Sequence, residues 1–88
     1  STGIGDFHFT QLPSVKIYPN PVRTAFFAAA ENMQRIELYS PLGQLVGIIS
    51  NIHSSSQKID ASHLTPGIYL LRIVFADGRK VTRKIQKL

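Results

Sequence analysis

The sequence of 88 residues contains neither cysteine nor tryptophan. Without cysteine the chain cannot form a disulfide, a thiolate metal site or a thiol nucleophile, so its stability has to come from packing. The absence leaves the cellular compartment open, because many exported proteins also lack cysteine. A chain of this length is expected to form one domain that buries somewhat more than roughly 60% of the surface of its unfolded form.

Long apolar segments are also missing. The longest runs, Leu45–Ile49 and Ile68–Ala76, are far shorter than the roughly 20 residues that span a bilayer, so we expect no transmembrane segment. The chain begins at Ser1 and shows no signal peptide. We expect it to be part of a longer protein, with residues 1–14 as a linker from a preceding domain and residues 15–88 as the folded domain.

Acidic residues are scarce: the chain has five of them and ten lysines and arginines, so its net charge is +5. The whole excess lies in residues 72–88, where the only acidic residue is Asp77. The basic residues of that stretch are Arg72, Arg79, Lys80, Arg83, Lys84 and Lys87. A field this local bears on the partners of the protein rather than on its fold.

No catalytic or metal-binding pattern is present. His8, His53 and His63 are spread over predicted loops without the spacing of metal ligands. Ser55, Asp60 and His63 could be combined into a hydrolytic triad, but no strand–turn–helix elbow supports one. The scattered carboxylates and separate glycines also exclude an acid–base pair and a phosphate-binding loop. We therefore expect no enzyme activity, no bound metal and no cofactor.

Turn residues divide the chain into seven short apolar segments, which is typical of an all-β sandwich. The second segment contains an alanine run that is equally compatible with a helix. The fourth is expected to be a short buried strand, the fifth an edge strand and the sixth a central strand. The predicted strands are Val15–Tyr18, Thr24–Ala30, Met33–Tyr39, Leu45–Ile49, Lys58–Ala61, Ile68–Phe75 and Lys80–Leu88.

Alternation along these strands predicts the core, to which Phe26 or Phe27 is added. The predicted members are Val15, Ile17, Ile36, Leu38, Leu45, Ile48, Ile59, Tyr69, Leu71, Ile73, Val81 and Ile85. Arg83 shares the inward face of the last strand, so we expect it to lie at the rim, to extend its charge into water or to mark a bulge.

Two local features complete the pattern. Asp77-Gly78 predicts a two-residue hairpin turn of type I′, which requires a positive φ at both residues. Glu37 and Arg72 are predicted to pair across neighbouring strands, as an exposed ion pair that contributes at most about 1 kcal/mol.

Four motifs occur in a fixed order along the chain. Tyr18-Pro19-Asn20-Pro21 comes first, and Ile36–Tyr39 with Leu42–Val46 forms the second motif around a turn. The third motif, Ile59–Ile73, contains the signature Asp-x-Ser-x-Leu-x-x-Gly-x-Tyr-x-x-Arg, and the fourth consists of Asp77-Gly78 followed by the basic stretch Thr82–Leu88. In this order the motifs resemble the type A C-terminal sorting domain of the type IX secretion system. The resemblance covers about residues 15–88 and departs at Ser40 and Gln44, where the family often has Asp or Asn and Arg or Lys.

The resemblance implies a seven-stranded immunoglobulin-like antiparallel β-sandwich. It implies a signal that directs a preceding cargo domain through the periplasm and across the bacterial outer membrane by the type IX translocon. A sortase-like peptidase then removes the domain, with a cut expected in residues 1–14, and the cargo is attached to an anionic lipopolysaccharide at the cell surface or secreted. The domain itself would be a substrate and an address.

We expect the basic end to carry recognition by the translocon, because a signal must be exposed and free at its end. The predicted recognition residues are Gly78, Lys80, Thr82, Arg83, Lys84, Lys87 and Leu88. The lysines at positions 80, 84 and 87 are expected on one flank of the last strand or at its frayed tip, where they could also defend an edge strand against aggregation. Deleting the last few residues is expected to leave the sandwich largely folded and to abolish export.

A second group of motif residues is expected to shape the fold. It comprises Tyr18, Pro19, Asn20, Pro21, Gly43, Asp60, Leu64, Gly67, Tyr69 and Arg72. Among them, Arg72 is open to two roles, since it either pairs internally or faces the receptor.

Two other functions compete with this hypothesis. A small adhesive or carbohydrate-binding sandwich would use Tyr18, Tyr39 and Tyr69 as a platform. Nucleic-acid binding has only the electrostatics of the basic hairpin in its favour, and we expect no nucleic-acid partner. The exposed edge strand favours an edge-paired dimer when the domain is isolated from its cargo.

Overall fold

The computed structural model describes residues 13–88, which form seven strands in two antiparallel sheets and contain no helix. The strands are β1 (Lys16–Tyr18), β2 (Ala25–Ala29), β3 (Met33–Tyr39), β4 (Leu45–Ile49), β5 (Ser56–Asp60), β6 (Gly67–Phe75) and β7 (Lys80–Lys87). The predicted all-β sandwich is confirmed. Most of the expected linker, residues 1–12, and with it His8, lies outside the described residues.

The two sheets differ in width. The order of strands is β1-β2-β5 in one sheet and β4-β3-β6-β7 in the other. As predicted, β6 is a central strand, and the segment around Lys58 forms an edge strand, β5. The helix alternative for the alanine run is excluded, because β2 pairs along its whole length with β5. The wider sheet therefore has two edges, β4 and β7.

The core lies between the sheets and contains most of the predicted members. Ile36, Leu38, Ile59, Tyr69, Leu71, Ile73, Val81 and Ile85 are buried, whereas Val15 and Ile17 are partly buried.

The prediction of a buried fourth strand is wrong. Leu45 is 52% exposed and Ile48 is 53% exposed. Because they lie opposite Tyr39 and Glu37, they share the solvent side of the sheet. The strand has a neighbour on one side only, so its apolar sequence reflects an edge rather than the core.

Several core residues escaped the alternation pattern. Phe26 is fully buried and Phe27 points outward. Val22 and Ile52 are buried although they lie in connections between strands, where a period of two gives no guidance. The other core residues that the pattern missed are Ala28, Ala30, Met33, Ala61 and Phe75.

The hairpins β3–β4 and β6–β7 have the same turn. Gly43 N–H donates to the Ser40 carbonyl at 2.8 Å, and Gly78 N–H donates to the Phe75 carbonyl at 2.9 Å. The two glycines have φ values of 87° and 92°. In the second turn Asp77 does not share the positive φ, so the predicted type I′ turn is wrong. Both hairpins instead use a three-residue loop that ends in a glycine in the left-handed conformation.

Candidate functional site

The last strand pairs with β6 in one continuous register, from Gly67 opposite Lys87 to Val74 opposite Lys80. The alternation of an antiparallel strand sends Val81 and Ile85 into the core. Arg83 lies between these two residues and is half-buried at the rim. Its Nη1 donates to the Thr82 carbonyl at 3.2 Å, and the continuous register excludes the alternative of a bulge at this position.

Four residues of β7 face solvent on the outer side of the wider sheet. Lys80 lies opposite Val74, Thr82 opposite Arg72, Lys84 opposite Leu70 and Gln86 opposite Ile68. Lys87 belongs to the other side of the strand, where its Nζ donates to the Leu88 carbonyl at 3.2 Å. Lys80 and Lys84 therefore share one flank as expected, whereas Lys87, the last residue of the strand, does not, because an interval of three residues crosses from one face of a strand to the other.

The first motif lies against the last strand. Asn20 donates from Nδ2 to the Lys84 carbonyl at 3.1 Å and accepts at Oδ1 from the Gln86 N–H at 3.0 Å. Val22 N–H donates to the Gln86 carbonyl at 2.7 Å, and Leu88 N–H donates to the Val22 carbonyl at 2.9 Å. The amide side chain and the short parallel bridge between Val22 and Lys87 cover the second half of the β7 edge.

This contact corrects one expectation. Leu88 was expected to be a free end, but its N–H is bonded to Val22, although its side chain remains exposed. Asn20 was expected to shape the fold, and in the structure it binds the strand that carries the predicted signal. No local pattern could reveal this contact, since 64 residues separate Asn20 from Lys84.

A buried carboxylate lies on the outer side of the same sheet. Glu37 is only 6% exposed and accepts hydrogen bonds from Tyr39 Oη at 2.8 Å and Arg72 Nε at 2.8 Å. Arg35 Nε approaches the second carboxylate oxygen at 2.8 Å. These bonds, led by that of Tyr39, hold the pKa of Glu37 below its ordinary value despite its burial.

Glu37 and Arg72 pair as predicted and lie opposite each other in neighbouring strands. The expectation of an exposed pair is wrong, because Arg35, Tyr39 and Arg72 together cover the carboxylate. Arg72 also donates from Nη2 to Tyr39 Oη at 2.9 Å, and its guanidinium lies 5.4 Å from the centre of the tyrosine ring. Internal pairing, one of its two predicted roles, is therefore present in the structure.

The third motif organises the approach to β6. Asp60 Oδ1 accepts from the N–H of Ser62 at 3.0 Å and from its hydroxyl at 2.8 Å, and these bonds lower the pKa of Asp60. Asp60 therefore closes a turn with Ser62. Leu64, the next motif residue, packs against the core.

Gly67 and Tyr69 follow at the start of β6. The hydroxyl of Tyr69 donates to the Thr65 carbonyl at 2.7 Å. At Gly67, where φ is 155°, a Cβ atom would lie 3.5 Å from Pro41 Cγ, so the turn into β6 passes close to the β3–β4 hairpin.

The three tyrosines do not form one platform. Tyr18 stacks on Phe27 of the narrower sheet, with the ring centres 5.7 Å apart and the planes at 19°. Tyr39 lies on the outer side of the wider sheet, and Tyr69 is buried in the core. A carbohydrate-binding surface built from all three tyrosines is therefore absent. Pro19 and Pro21, whose peptide bonds are both cis, are exposed beside Tyr18.

Within residues 13–88, no group of three or more His, Asp or Glu side chains is arranged to hold a metal ion. The same part of the chain has no helix of the length and apolarity needed to cross a membrane.

Residues 16–87 match the family model described as a secretion system C-terminal sorting domain. The chain belongs to this family. The match begins at the first residue of β1 and ends at the last residue of β7, so the family extends over the whole sandwich. The resemblance inferred from the four motifs is confirmed.

Structural comparison finds the sorting domain similar to CopC from Methylosinus trichosporium OB3b, with a TM-score of 0.49 and 19% sequence identity. This similarity covers 84% of the sorting domain and 82% of the CopC chain. No curated protein matches the chain.

The family determines the broad role of this domain. A sorting domain is the C-terminal signal that routes a protein into the type IX secretion system, which exports it across the outer membrane to the cell surface or the medium. The family is one of sorting signals and not of enzymes. Which residues of the sorting domain are recognised is a separate question.

Proposed function

We propose that β7 is the part of the sorting domain that the type IX translocon reads. The recognition residues in this proposal are Gly78, Lys80, Thr82, Arg83, Lys84, Lys87 and Leu88. The observation that carries it is the concentration of the entire charge excess in residues 72–88, part of which is displayed on the exposed outer side of a regular strand.

Within that stretch the charges are not equivalent. Arg72 is held by Glu37, and Arg79 Nε contacts Asp77 Oδ2 at 2.7 Å. Lys80 and Lys84 make no ion pair with any of residues 13–88 and project from the same side of the strand. A receptor with carboxylates would therefore meet these two charges first.

These lysines could serve recognition by the translocon or protect a sheet edge from pairing with other strands. A comparison with β4 favours recognition. The β4 edge exposes Leu45, Val46 and Ile48 and contains no charged residue, so it has the greater need for protection against strand pairing. The cations instead lie on β7, half of which is already covered by Asn20 and Val22.

The proposal includes the fate of the domain after export. Residues 1–14 would connect the cargo to the sandwich, and a sortase-like peptidase of the secretion system would cut this segment at the outer surface. The cargo would then be attached to an anionic lipopolysaccharide or released. The support for these steps is the membership of the family.

Charge-neutralising substitutions test the address. Lys80→Gln and Lys84→Gln, combined in a cargo fusion expressed in a secreting cell, are expected to leave most of the cargo in the periplasm. Lys16→Gln combined with Lys58→Gln is the matched control, since both lysines are exposed on the narrower sheet. Equal surface display of the cargo with both pairs of substitutions would contradict the proposal.

The cleavage step has its own measurement. The mass of the mature surface protein is expected to correspond to a chain from which residues 15–88 have been removed. If the mature protein retained these residues, the cleavage step would be wrong while the address could stand.

A further inference from the structure

The outer edge of β7 has two halves. In an antiparallel strand, alternate residues direct their N–H and carbonyl groups to opposite neighbours. The bonds of Lys84, Gln86 and Leu88 to Asn20 and Val22 show that the even-numbered residues direct these groups away from β6. The Arg79 carbonyl, from an odd-numbered residue, accepts from Phe75 N–H at 2.8 Å and thus points to the neighbouring hairpin strand.

The first half of this edge is open. By the same alternation, the N–H groups of Lys80, Thr82 and Lys84 and the carbonyl of Lys80 point outward, and no residue of 13–88 binds them. The Thr82 carbonyl is partly satisfied by Nη1 of Arg83. Unpaired backbone groups in a row form a template for an additional strand.

The side chains on this open half are also in register with such a strand. Lys80, Thr82 and Lys84 project from the outer side of the sheet. Every second side chain of an added strand would lie on that same side, within reach of the two ammonium groups. Carboxylates at alternating positions would therefore complement the open half.

We propose that the type IX translocon adds an extended acidic segment to β7 between Lys80 and Lys84, as a fifth strand of the wider sheet. The segment has a carboxylate at every second residue and stops where Asn20 and Val22 occupy the edge. This inference rests on the proposed function and specifies how the address is read.

Residues 13–88 do not supply this segment. Their acidic residues are Glu31, Glu37, Asp60 and Asp77, and no two of these are separated by a single residue. In a second copy pairing antiparallel through its own β7, lysines would face lysines, and like charges on opposing strands are destabilising. The partner is therefore a different polypeptide with alternating acids.

A defined peptide tests the inference on the 88-residue chain. The probe has five residues, Val-Glu-Val-Glu-Val, with blocked ends, and a matched peptide carries lysine in place of glutamate. We expect the acidic peptide to slow amide hydrogen exchange at Thr82 and Lys84, whereas the amides of Val81 and Arg83 are already bonded to β6. The basic peptide is expected to have no effect. Protection of the β4 amides in place of Thr82 and Lys84 would overturn the placement.

Variants separate strand addition from simple charge attraction. Thr82→Pro removes an outward N–H that the β6–β7 ladder does not use, and proline is tolerated on edge strands. It should weaken binding of the acidic peptide more than tenfold, whereas Thr82→Val should bind like the unmodified chain. Lys80→Gln and Lys84→Gln should each weaken binding about two- to fivefold, and Lys16→Gln should not. If Thr82→Pro bound the acidic peptide as tightly as the unmodified chain, simple charge attraction would explain the binding and the added strand would be refuted.

Export distinguishes this inference from the broader proposal. If Thr82→Pro is exported normally and the double lysine variant is not, the address stands and strand addition is wrong. If both variants are exported normally, the address and the added strand are both wrong. The expected result is loss of export in both, with retention of export by Thr82→Val.

Discussion

The two edges of the wider sheet, β4 and β7, differ in almost every respect except the turn that leads into them. The β4 edge has five residues and no charge, and it exposes Leu45, Val46 and Ile48. The β7 edge has eight residues, buries Val81 and Ile85, and displays lysines on its other side. One strand contributes little to the core, while the other both completes the core and carries the charge.

The comparison shows that the address proposed for β7 is not a flexible tail. In this sorting domain the basic end is a strand that pairs with β6 along its length and is fastened at its far end by Asn20 and Val22. Its charges therefore have defined positions relative to one another. Between the two edges, the cluster of Glu37, Arg35 and Arg72 ties β3 to β6.

The largest effect on stability is expected when one alanine substitution on each edge is compared. Ile85 is only 2% exposed, so Ile85→Ala should lower the free energy of unfolding by about 3 kcal/mol. Ile48→Ala, on the exposed side of β4, should change it by about 0.5 kcal/mol or less. Urea denaturation measures both, and equal losses would remove the distinction between the two edges.

The same burial changes the expectation for truncation. Deleting Arg83–Leu88 removes Ile85 and the strand around it, so the shortened domain is expected to lose much of its stability together with export. For this reason charge substitutions test the address more cleanly than deletion does.

The next effect concerns the cluster between the two edges. Glu37→Gln should destabilise the domain by about 2 kcal/mol at neutral pH, because it removes the charge that binds Arg35 and Arg72. The loss should be smaller than for a fully buried pair, since water still reaches both arginines. Because the pKa of Glu37 is lower in the folded state, the wild type should lose this stabilisation as the pH falls below about 4. Thermal melts at neutral and acidic pH check this, and wild type and variant should converge in acid. A constant difference between them at every pH would contradict the assigned cause.

A smaller effect should follow from loosening the end of β7. Asn20→Ala removes two exposed hydrogen bonds and should cost about 1 kcal/mol, whereas Asn20→Asp keeps the acceptor for Gln86 and should cost less. Amide exchange should accelerate at Gln86 and Leu88 before it changes in the core. Ser40→Ala, in the hairpin that leads to β4, is the control, because it should leave those two amides unaffected.

The smallest effect on stability is expected at β4. Val46 is the extra residue where the register between β3 and β4 shifts, and it is exposed. Val46→Lys should change the free energy of unfolding by about 0.5 kcal/mol or less and should suppress edge-paired dimers of the isolated domain. Sedimentation at high concentration measures this. A dimer that survives Val46→Lys but disappears with Thr82→Pro would place the pairing edge at β7.

Much of the fold could be predicted because its signals are local. Pro66 and Gly67 mark the turn into the central strand, and Asp77-Gly78 marks the last hairpin. The β6 and β7 strands were predicted closely because alternation over eight or nine residues leaves little freedom of register. The error at the hairpin was one of turn type, since two- and three-residue loops both place glycine in the left-handed conformation.

The errors at β4 have a different cause. A short run of apolar residues without alternation is compatible with a central strand or with an edge, and only the order of strands distinguishes the two. Leu45 and Ile48 were assigned to the core for this reason. The burial of Glu37 was missed in the same way, because it depends on three side chains from two strands that close over one carboxylate.

By itself, the sequence determined the β-sandwich class, most of the strand positions and the location of the excess charge, all of which follow from composition, alternation and turn residues close together in the chain. It also indicated the family, through the resemblance carried by the four motifs. Tertiary structure alone decided which edges are open, which face each lysine occupies and that Asn20 fastens the end of β7. Those features depend on contacts between residues up to 66 positions apart, and local periodicity contains no information about which distant backbone groups will meet.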